Sequence, residues 1–333
     1  MAIELGVFGF GELASYPARR ENASNVTKGL RELGDLAEMA DRVGLDVFGL
    51  GEHHREEFAV SAPAVVLASL AERTSRIRLA SVLTVLAADD PVRVLEQFAT
   101  VDALSYGRVD LMVGRDAFPE AFSLFGHRLT DDDWLFDEKL RLLLQLRQQH
   151  HVTWAGESRP ALHEARIVPR PVGRLPIGVT TGRTTKPVEL AGELGLPLSL
   201  LMQAGSWESY RPLAELYRQS FRVPDTGPAR PTLSVLVPGH IAVTATKARQ
   251  DAGGLAPRPD PTLPATAIIG DPSDAVDQLV RLHDVLQPQR VLVSLGRGRI
   301  SHSDALKSVE LFGKEVAPAV REIIAQREAV NPA

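Results

Sequence analysis

The sequence predicts an α/β protein built as a (β/α)8 TIM barrel, and three observations carry that reading. The chain has 333 residues, which holds the roughly 250 residues of such a barrel plus insertions. Short apolar runs alternate with helical segments from end to end, giving eight strand–helix units. Helices between successive strands imply parallel pairing and strands buried on both faces, and eight units suit a closed barrel better than an open sheet. No segment has the composition of an interdomain linker, so residues 1–333 are read as one domain.

Ile3–Phe10 reads as the first strand. Leu30–Val43 reads as a helix with Leu33, Leu36, Ala37, Ala40 and Val43 on one face and Gly44 just past its end. Asp46–Leu50 is the second strand and Ala62–Arg73 its helix. Ile77–Leu86 is the third strand, after which Asp90 and Pro91 supply the N-cap and first-turn proline of the helix Val92–Leu104. Val109–Val113 is the fourth strand, with the helix Trp134–Leu146 after an irregular stretch. The second half repeats the scheme: Pro176–Val179 with Pro187–Leu194, then Leu198–Leu201 with Trp207–Phe221. Leu233–Val243 precedes a helix that Asp271 and Pro272 open and that runs through Leu286. Arg290–Leu295 is the last strand, and Ser303–Ile324 the last helix, burying Val309, Phe312, Val316, Val320 and Ile323. Two segments break the rhythm. Residues 147–175 are expected to form an excursion, as a β-hairpin, and residues 247–268, rich in Pro, Gly and Ala, a short lid.

Composition narrows the function. The chain is 44% hydrophobic and 24% charged, with a formal charge of −5 and both signs spread along it. No basic field offers itself to nucleic acid or anionic lipid. The absence of cysteine excludes disulfides, thiolate metal sites and a cysteine nucleophile. Glu4 stands where a signal peptide would carry basic residues, and no stretch reaches the ~20 apolar residues of a membrane span, so a cytoplasmic location is expected.

In a parallel barrel the active site lies at the C-terminal ends of the strands. Glu52-His53-His54 follows the second strand directly, and two imidazoles with a carboxylate there suit proton transfer; a polar loop with satisfied histidines is the alternative. Gly114-Arg115-Asp116 follows the fourth strand: the glycine admits a ligand to the backbone and the arginine suits phosphate or carboxylate, unless it pairs with Asp116 or Asp110. The turn from Thr181 through Gly182, Arg183, Thr184 and Thr185 to Lys186 follows the fifth strand and opens a helix. Free N–H groups, hydroxyls and two cations make it either a phosphate nest or an ordinary capped turn. Gly6, Gly9 and Gly11 have the wrong order for a dinucleotide fingerprint and are read as barrel-mouth glycines. No metal site is expected, since Glu57 stands where either H-E-x-x-H arrangement would require a histidine. His150-His151 is read as solvated, and Gly296–Arg299 as a surface loop.

Over most of its length the chain resembles the luciferase-like, flavin-dependent monooxygenase family. The strongest block runs from Ile77 to Gly126 and begins IRLASVLTVLAADDPVRVLEQFATVDALSYGRVDLMVGRD; Asp46–His54, Val152–Trp154, Pro169–Pro171 and Ala305–Arg321 match as well. The resemblance implies FMN, supplied reduced, at the mouth of the barrel, with a deazaflavin as the other cofactor the fold accepts. It implies His53 as the catalytic base, oriented by Glu52 or His54, and Arg115 on the flavin phosphate. Ser81, Val82 and Leu83 would form a bulge under the isoalloxazine ring, often with a non-prolyl cis peptide, and Thr181, Gly182, Arg183 and Thr184 a phosphate turn. It further implies O2 and a small organic substrate such as an aldehyde, ketone, sulfonate or amine, a separate flavin reductase, and a homodimer through the second and third helices. Three features depart from the family pattern: Asp116 in place of a glycine, Arg183 in place of a glycine with Pro187 in place of a serine, and a short lid poor in aromatics. Deazaflavin-dependent hydride transfer, a non-catalytic subunit with weakened flavin binding, and a metal-dependent hydrolase barrel are the other readings.

Overall fold

The strands are apolar on both faces because both faces are covered. In the computed structural model, which describes residues 2–13, 23–115, 120–225, 227–252, 266–295 and 300–330, every residue of Val47–Gly51, Val109–Gly114, Ile177–Thr181 and Leu233–Ile241 is buried. The strands are β1 (Glu4–Gly9), β2 (Val47–Gly51), β3 (Arg78–Val85), β4 (Val109–Gly114), β5 (His151–Trp154), β6 (Leu162–Arg166), β7 (Ile177–Thr181), β8 (Leu198–Leu201), β9 (Leu233–Ile241), β10 (Ile268–Gly270) and β11 (Arg290–Leu295). Parallel pairing runs β9-β11-β1-β2-β3-β4-β7-β8, and a β8–β9 pairing closes the ring, giving the (β/α)8 barrel. Strand β10 extends β9 at the rim, and β5 and β6 form the expected antiparallel hairpin of the excursion.

The helices are α1 (Ala23–Arg42), α2 (Pro63–Arg73), α3 (Pro91–Leu104), α4 (Glu120–Leu124), α5 (Asp132–Gln148), α6 (Thr185–Glu193), α7 (Arg211–Ser220), α8 (Ala245–Asp251), α9 (Pro272–Leu286), α10 (His302–Leu311) and α11 (Ala317–Val330). Asp90 and Asp271 cap α3 and α9 as their sequence positions predict, accepting from Val92 N at 2.8 Å and Asp274 N at 3.1 Å. The expected helix Trp207–Phe221 divides into a 3-10 turn at Trp207–Tyr210 and α7. Ser303–Ile324 divides at a π turn over Phe312–Val316, and Ile324 rather than Ile323 takes the last buried place. The segment expected as a lid opens with α8 and ends in β10; its residues 253–265 lie outside those described, as do Asp116 and Gly296–Arg299. None of the described helices is long and apolar enough to cross a membrane.

The interior of the barrel is narrow. Phe8, Phe10, Val47, Ala80, Val82, Leu236 and Leu292 fill it. Strand β2 lends that space two glycines: a Cβ on Gly49 would sit 2.4 Å from Val82 Cγ1, and one on Gly51 would sit 2.1 Å from the ring of Phe10. Gly6 is a wall residue and not a mouth residue as expected, because its missing Cβ lets Val47 O approach to 2.1 Å of that position. Gly9 ends β1, paired with Leu50, and Gly11 lies past the strand, where it holds φ +70°, which favours glycine.

Charges close the opposite end. Asp110, fully enclosed near the start of β4, meets Arg78 Nε at 3.2 Å and Arg290 Nη1 at 2.9 Å, and Arg290 Nε also donates to Glu4 at 2.7 Å. Burial alone would raise the Asp110 carboxyl, but Arg290 and Arg78 outweigh it and hold it below the usual range. The folded-state value being the lower one, this stabilisation is complete above the unfolded aspartate value of about 3.9 and is lost as pH falls below it.

Two outcomes follow. Gly51→Ala is expected to cost about 1–3 kcal/mol by overpacking the Phe10 ring, read as a lower urea midpoint; an unchanged midpoint contradicts the close-approach account. Asp110→Ala is expected to cost about 3 kcal/mol, because Arg78 loses its carboxylate while Arg290 keeps Glu4, and to flatten the acid limb of the stability–pH curve. An acid limb identical to that of the native chain contradicts the charge account.

Candidate active site

The inward alternation of β2, Val47 then Gly49 then Gly51, delivers His53 to the mouth of the barrel directly above Phe10. Its ring stacks on Phe10 with centroids 4.6 Å apart and lies 4.3 Å from the ring of Phe58. The backbone holds this arrangement: His53 N donates to Val60 O at 3.0 Å, while Ala59 N and Leu13 N tie residues 57–59 to the segment after β1. His53 is thus a buried aromatic wall residue.

Glu52 points the other way and bonds His54 rather than orienting His53. Its Oε1 lies 2.7 Å from His54 Nε2, and its Oε2 accepts from Val85 N at 3.1 Å. A carboxylate can only accept, so the imidazole carries its proton on Nε2. The pair is enclosed, with the edge of Phe125 against His54 at a centroid distance of 5.0 Å.

The anchor for Glu52 is the irregular stretch of β3. Its register with β4 shifts between Ser81 and Thr84, and Glu52 N donates to Leu83 O. The expected bulge at Ser81, Val82 and Leu83 is therefore present. Two hydroxyl hydrogen bonds brace it: Ser81 Oγ meets Thr84 Oγ1 at 2.6 Å, and Thr180 Oγ1 donates to the Val82 carbonyl at 2.6 Å. The bulge lacks the non-prolyl cis peptide that the resemblance allowed; among the described residues the cis bond is Val168–Pro169, in the excursion. Behind the bulge the buried ammonium of Lys139 donates to Ala87 O at 2.6 Å, and burial pushes its pKa down.

The register Gly114↔Thr180 sets Arg115 beside Thr181 and the turn that opens α6. Among the described residues this turn forms an open cradle. A Cβ on Gly182 would meet nothing closer than Leu201 O at 4.0 Å, and Thr184 sits at the N-cap without accepting from a helix N–H, its hydroxyl 3.2 Å from that of Thr181. Uncapped N–H groups, two hydroxyls and open space fit an oxygen-rich anion such as the phosphate of a flavin, although Pro187 removes one donor.

The cations of this corner are engaged. Arg115 pairs with Asp132 at 3.1 Å and also with Asp133, whose other oxygen takes the Lys186 ammonium at 2.6 Å. The hydrogen bond from Lys186 holds the Asp133 carboxyl below its usual range, against burial and with the help of Arg115. Arg115, Asp133 and Lys186 border an open pocket of about 320 Å³, shared with Trp134, Pro187 and Leu190. Arg183 leaves the group, its guanidinium lying 5.1 Å over the ring of Tyr210.

Sequence reasoning thus places Glu52, His53 and His54 together with the β3 bulge, and Arg115 with Thr181, Gly182 and Thr184. It misses Phe58, Thr180, Asp132 and Asp133. The run Asp131-Asp132-Asp133 at a helix start, opposite two cations, was the available signal for the last two. Among the described residues no three His, Asp or Glu side chains gather as metal ligands would.

The chain is 38% identical over 168 residues to the N-acetyl-S-alkylcysteine monooxygenase of Bacillus subtilis, an alignment covering 48% of this chain and 47% of that protein, so it matches about half the length of that relative. The monooxygenase RslO1 of Streptomyces bottropensis superposes with a TM-score of 0.83 at 21% identity, covering 95% and 99% of the two chains. The oxygenating constituent of 3,6-diketocamphane monooxygenase from Pseudomonas putida, solved with FMN, gives a TM-score of 0.77 at 19% identity over 96% and 99%. An F420-dependent secondary alcohol dehydrogenase gives 0.74 at 16% identity over 96% and 99%. At these identities the structural likeness is one of fold. The luciferase-like monooxygenase family profile, in contrast, matches residues 4–261, and the chain belongs to that family.

Proposed function

We propose that this protein is a flavin-dependent monooxygenase that uses reduced FMN and O2 on a small organic substrate. The observation that carries the reading is the Glu52–His54 pair, held against the β3 bulge on one side of a barrel mouth whose other side is the uncapped start of α6. When bound, the reduced flavin supplies the electrons that activate O2. The chain supplies position, dryness and a proton carrier.

Arg115, Gly182, Thr184 and the first N–H groups of α6 would hold the phosphate, and the bulge at Ser81–Leu83 would support the ring system. Phe10, His53 and Phe58 exclude water from the floor of the mouth. Glu52 orients the His54 imidazole, which exchanges a proton with the reacting groups, and Glu52 stabilises the imidazolium that results. A separate reductase supplies the reduced flavin on this reading. His53, the position that family resemblance makes the base, is assigned here to the wall, and the two assignments predict different variants.

A second reading, hydride transfer with a deazaflavin, is favoured by the likeness to the F420-dependent dehydrogenase.

The first test is equilibrium binding of FMN, reduced FMN and a deazaflavin to the purified chain. Reduced FMN is expected to bind and to be reoxidised by O2 with kinetics unlike those of free flavin; binding of the deazaflavin alone supports the second reading, and binding of none contradicts both. The second test compares variants once aldehydes, ketones, thioethers, sulfonates and amines have been screened for a substrate. His54→Ala is expected to slow turnover by about 10²–10⁴-fold, the usual range for a lost acid–base group, with flavin affinity little changed. His53→Ala is expected to loosen flavin binding more than it slows the chemical step, and the reverse pattern returns the proton-transfer role to His53.

A further inference from the structure

The corner of the barrel mouth between β4 and α6 holds cations that are already satisfied. Arg115 and Lys186 flank the open turn at Gly182, and Asp133 bridges them, one carboxylate oxygen to each. Asp132 adds a second carboxylate on Arg115. Two positive charges therefore meet two negative ones beside that turn, Arg115 following β4 next to Thr181 in register and Lys186 standing in the first turn of α6. The bridging position is the one that an anionic oxygen group would itself take between an arginine and a lysine.

We propose that Asp133 is a specificity-determining residue of the cofactor cradle: it acts as an internal competitor for the anionic tail of the flavin, and so lowers the weight that the protein gives to the phosphate. The inference rests on the flavin reading above. A phosphate monoester carries a charge of about −1.5 to −2 at neutral pH. To reach Arg115 and Lys186 it must displace the Asp133 carboxylate or remain beside it, and either route costs affinity that an uncharged tail does not lose. Riboflavin, which ends in a hydroxyl, can use Gly182, Thr184 and the α6 N–H groups without meeting this competition. The opposition is moderate, because the Asp133 and Lys186 side chains are 49% and 73% exposed and water screens them. The effect belongs to the tail alone: Asp133 touches none of Glu52, His54 and Ser81–Leu83 in the contacts that hold those groups.

The test is a set of equilibrium titrations at low ionic strength with riboflavin and FMN, against the native chain, Asp133→Asn and Lys186→Gln. Asp133→Asn is expected to raise FMN affinity about tenfold and leave riboflavin affinity unchanged, with the gain shrinking in high salt. Lys186→Gln is expected to lower the ratio of FMN to riboflavin affinity. Both positions lie at the surface, and riboflavin binding reports that each variant is folded. An FMN affinity that does not rise in Asp133→Asn, a change shared equally by the two flavins, or an unaltered ratio in Lys186→Gln overturns the proposal while leaving the flavin reading standing. Failure of all three proteins to bind either flavin overturns that reading as well, and the inference with it.

Discussion

Between Val47 and His53 the inner face of β2 carries no side chain, only the hydrogens of Gly49 and Gly51. That absence lets Phe8, Phe10 and Val82 fill the barrel axis at close-packed density, since a Cβ at either glycine would overlap one of them. The site depends on the same constraint. Because Phe10 lies over Gly51, its upper face is free to stack with His53, and the strand's two-residue period then sends Glu52 and His54 away from the axis toward β3. The bulge of β3 receives Glu52 through a side-chain and a backbone hydrogen bond, so the proton carrier and the support for a ring system are one hydrogen-bonded unit. A change in the interior therefore reaches the mouth through Phe10 without any residue of the mouth being altered.

Carboxylate–arginine contacts occur at both ends of the barrel with opposite consequences. Asp110 is enclosed, and its arginines stabilise it against burial, which closes the axis at the N-terminal ends of the strands. Asp133 is half exposed and Lys186 more so, so although Arg115 is largely buried, water screens the bridge and its carboxylate can be exchanged for another anion. One arrangement contributes to folding and the other to selection. Burial is what separates them, not residue type.

The barrel was legible because its signals are local. The N-caps at Asp90 and Asp271, the buried apolar strands and the hairpin of the excursion follow from neighbouring residues along the chain, and the structure agrees with each. The candidate site was legible in part. The strand ends indicated Glu52–His54, Arg115 and the Thr181–Thr184 turn, since a parallel barrel gathers all of them at one face. Partner choice was not legible. Glu52 adjoins His53 in sequence yet bonds His54, because strand alternation turns residues 52 and 54 to the same side. Arg115 pairs with Asp132 and Asp133 instead of Asp110, and the docking of α5 brings them to it. Gly6 looked like a mouth glycine because composition reports the residue and not the strand facing it, whereas its conformational role is set by Val47 O.

The measurement that tests the central claim most directly is a crystal structure of the chain grown with FMN. The account predicts ring density against the Ser81–Leu83 bulge with its edge toward His54, and a phosphate at Gly182 and Thr184 with the Asp133 carboxylate moved off Arg115 or Lys186. A flavin bound elsewhere, or a barrel mouth that excludes the ring while Glu52 and His54 keep their present contact, would contradict it.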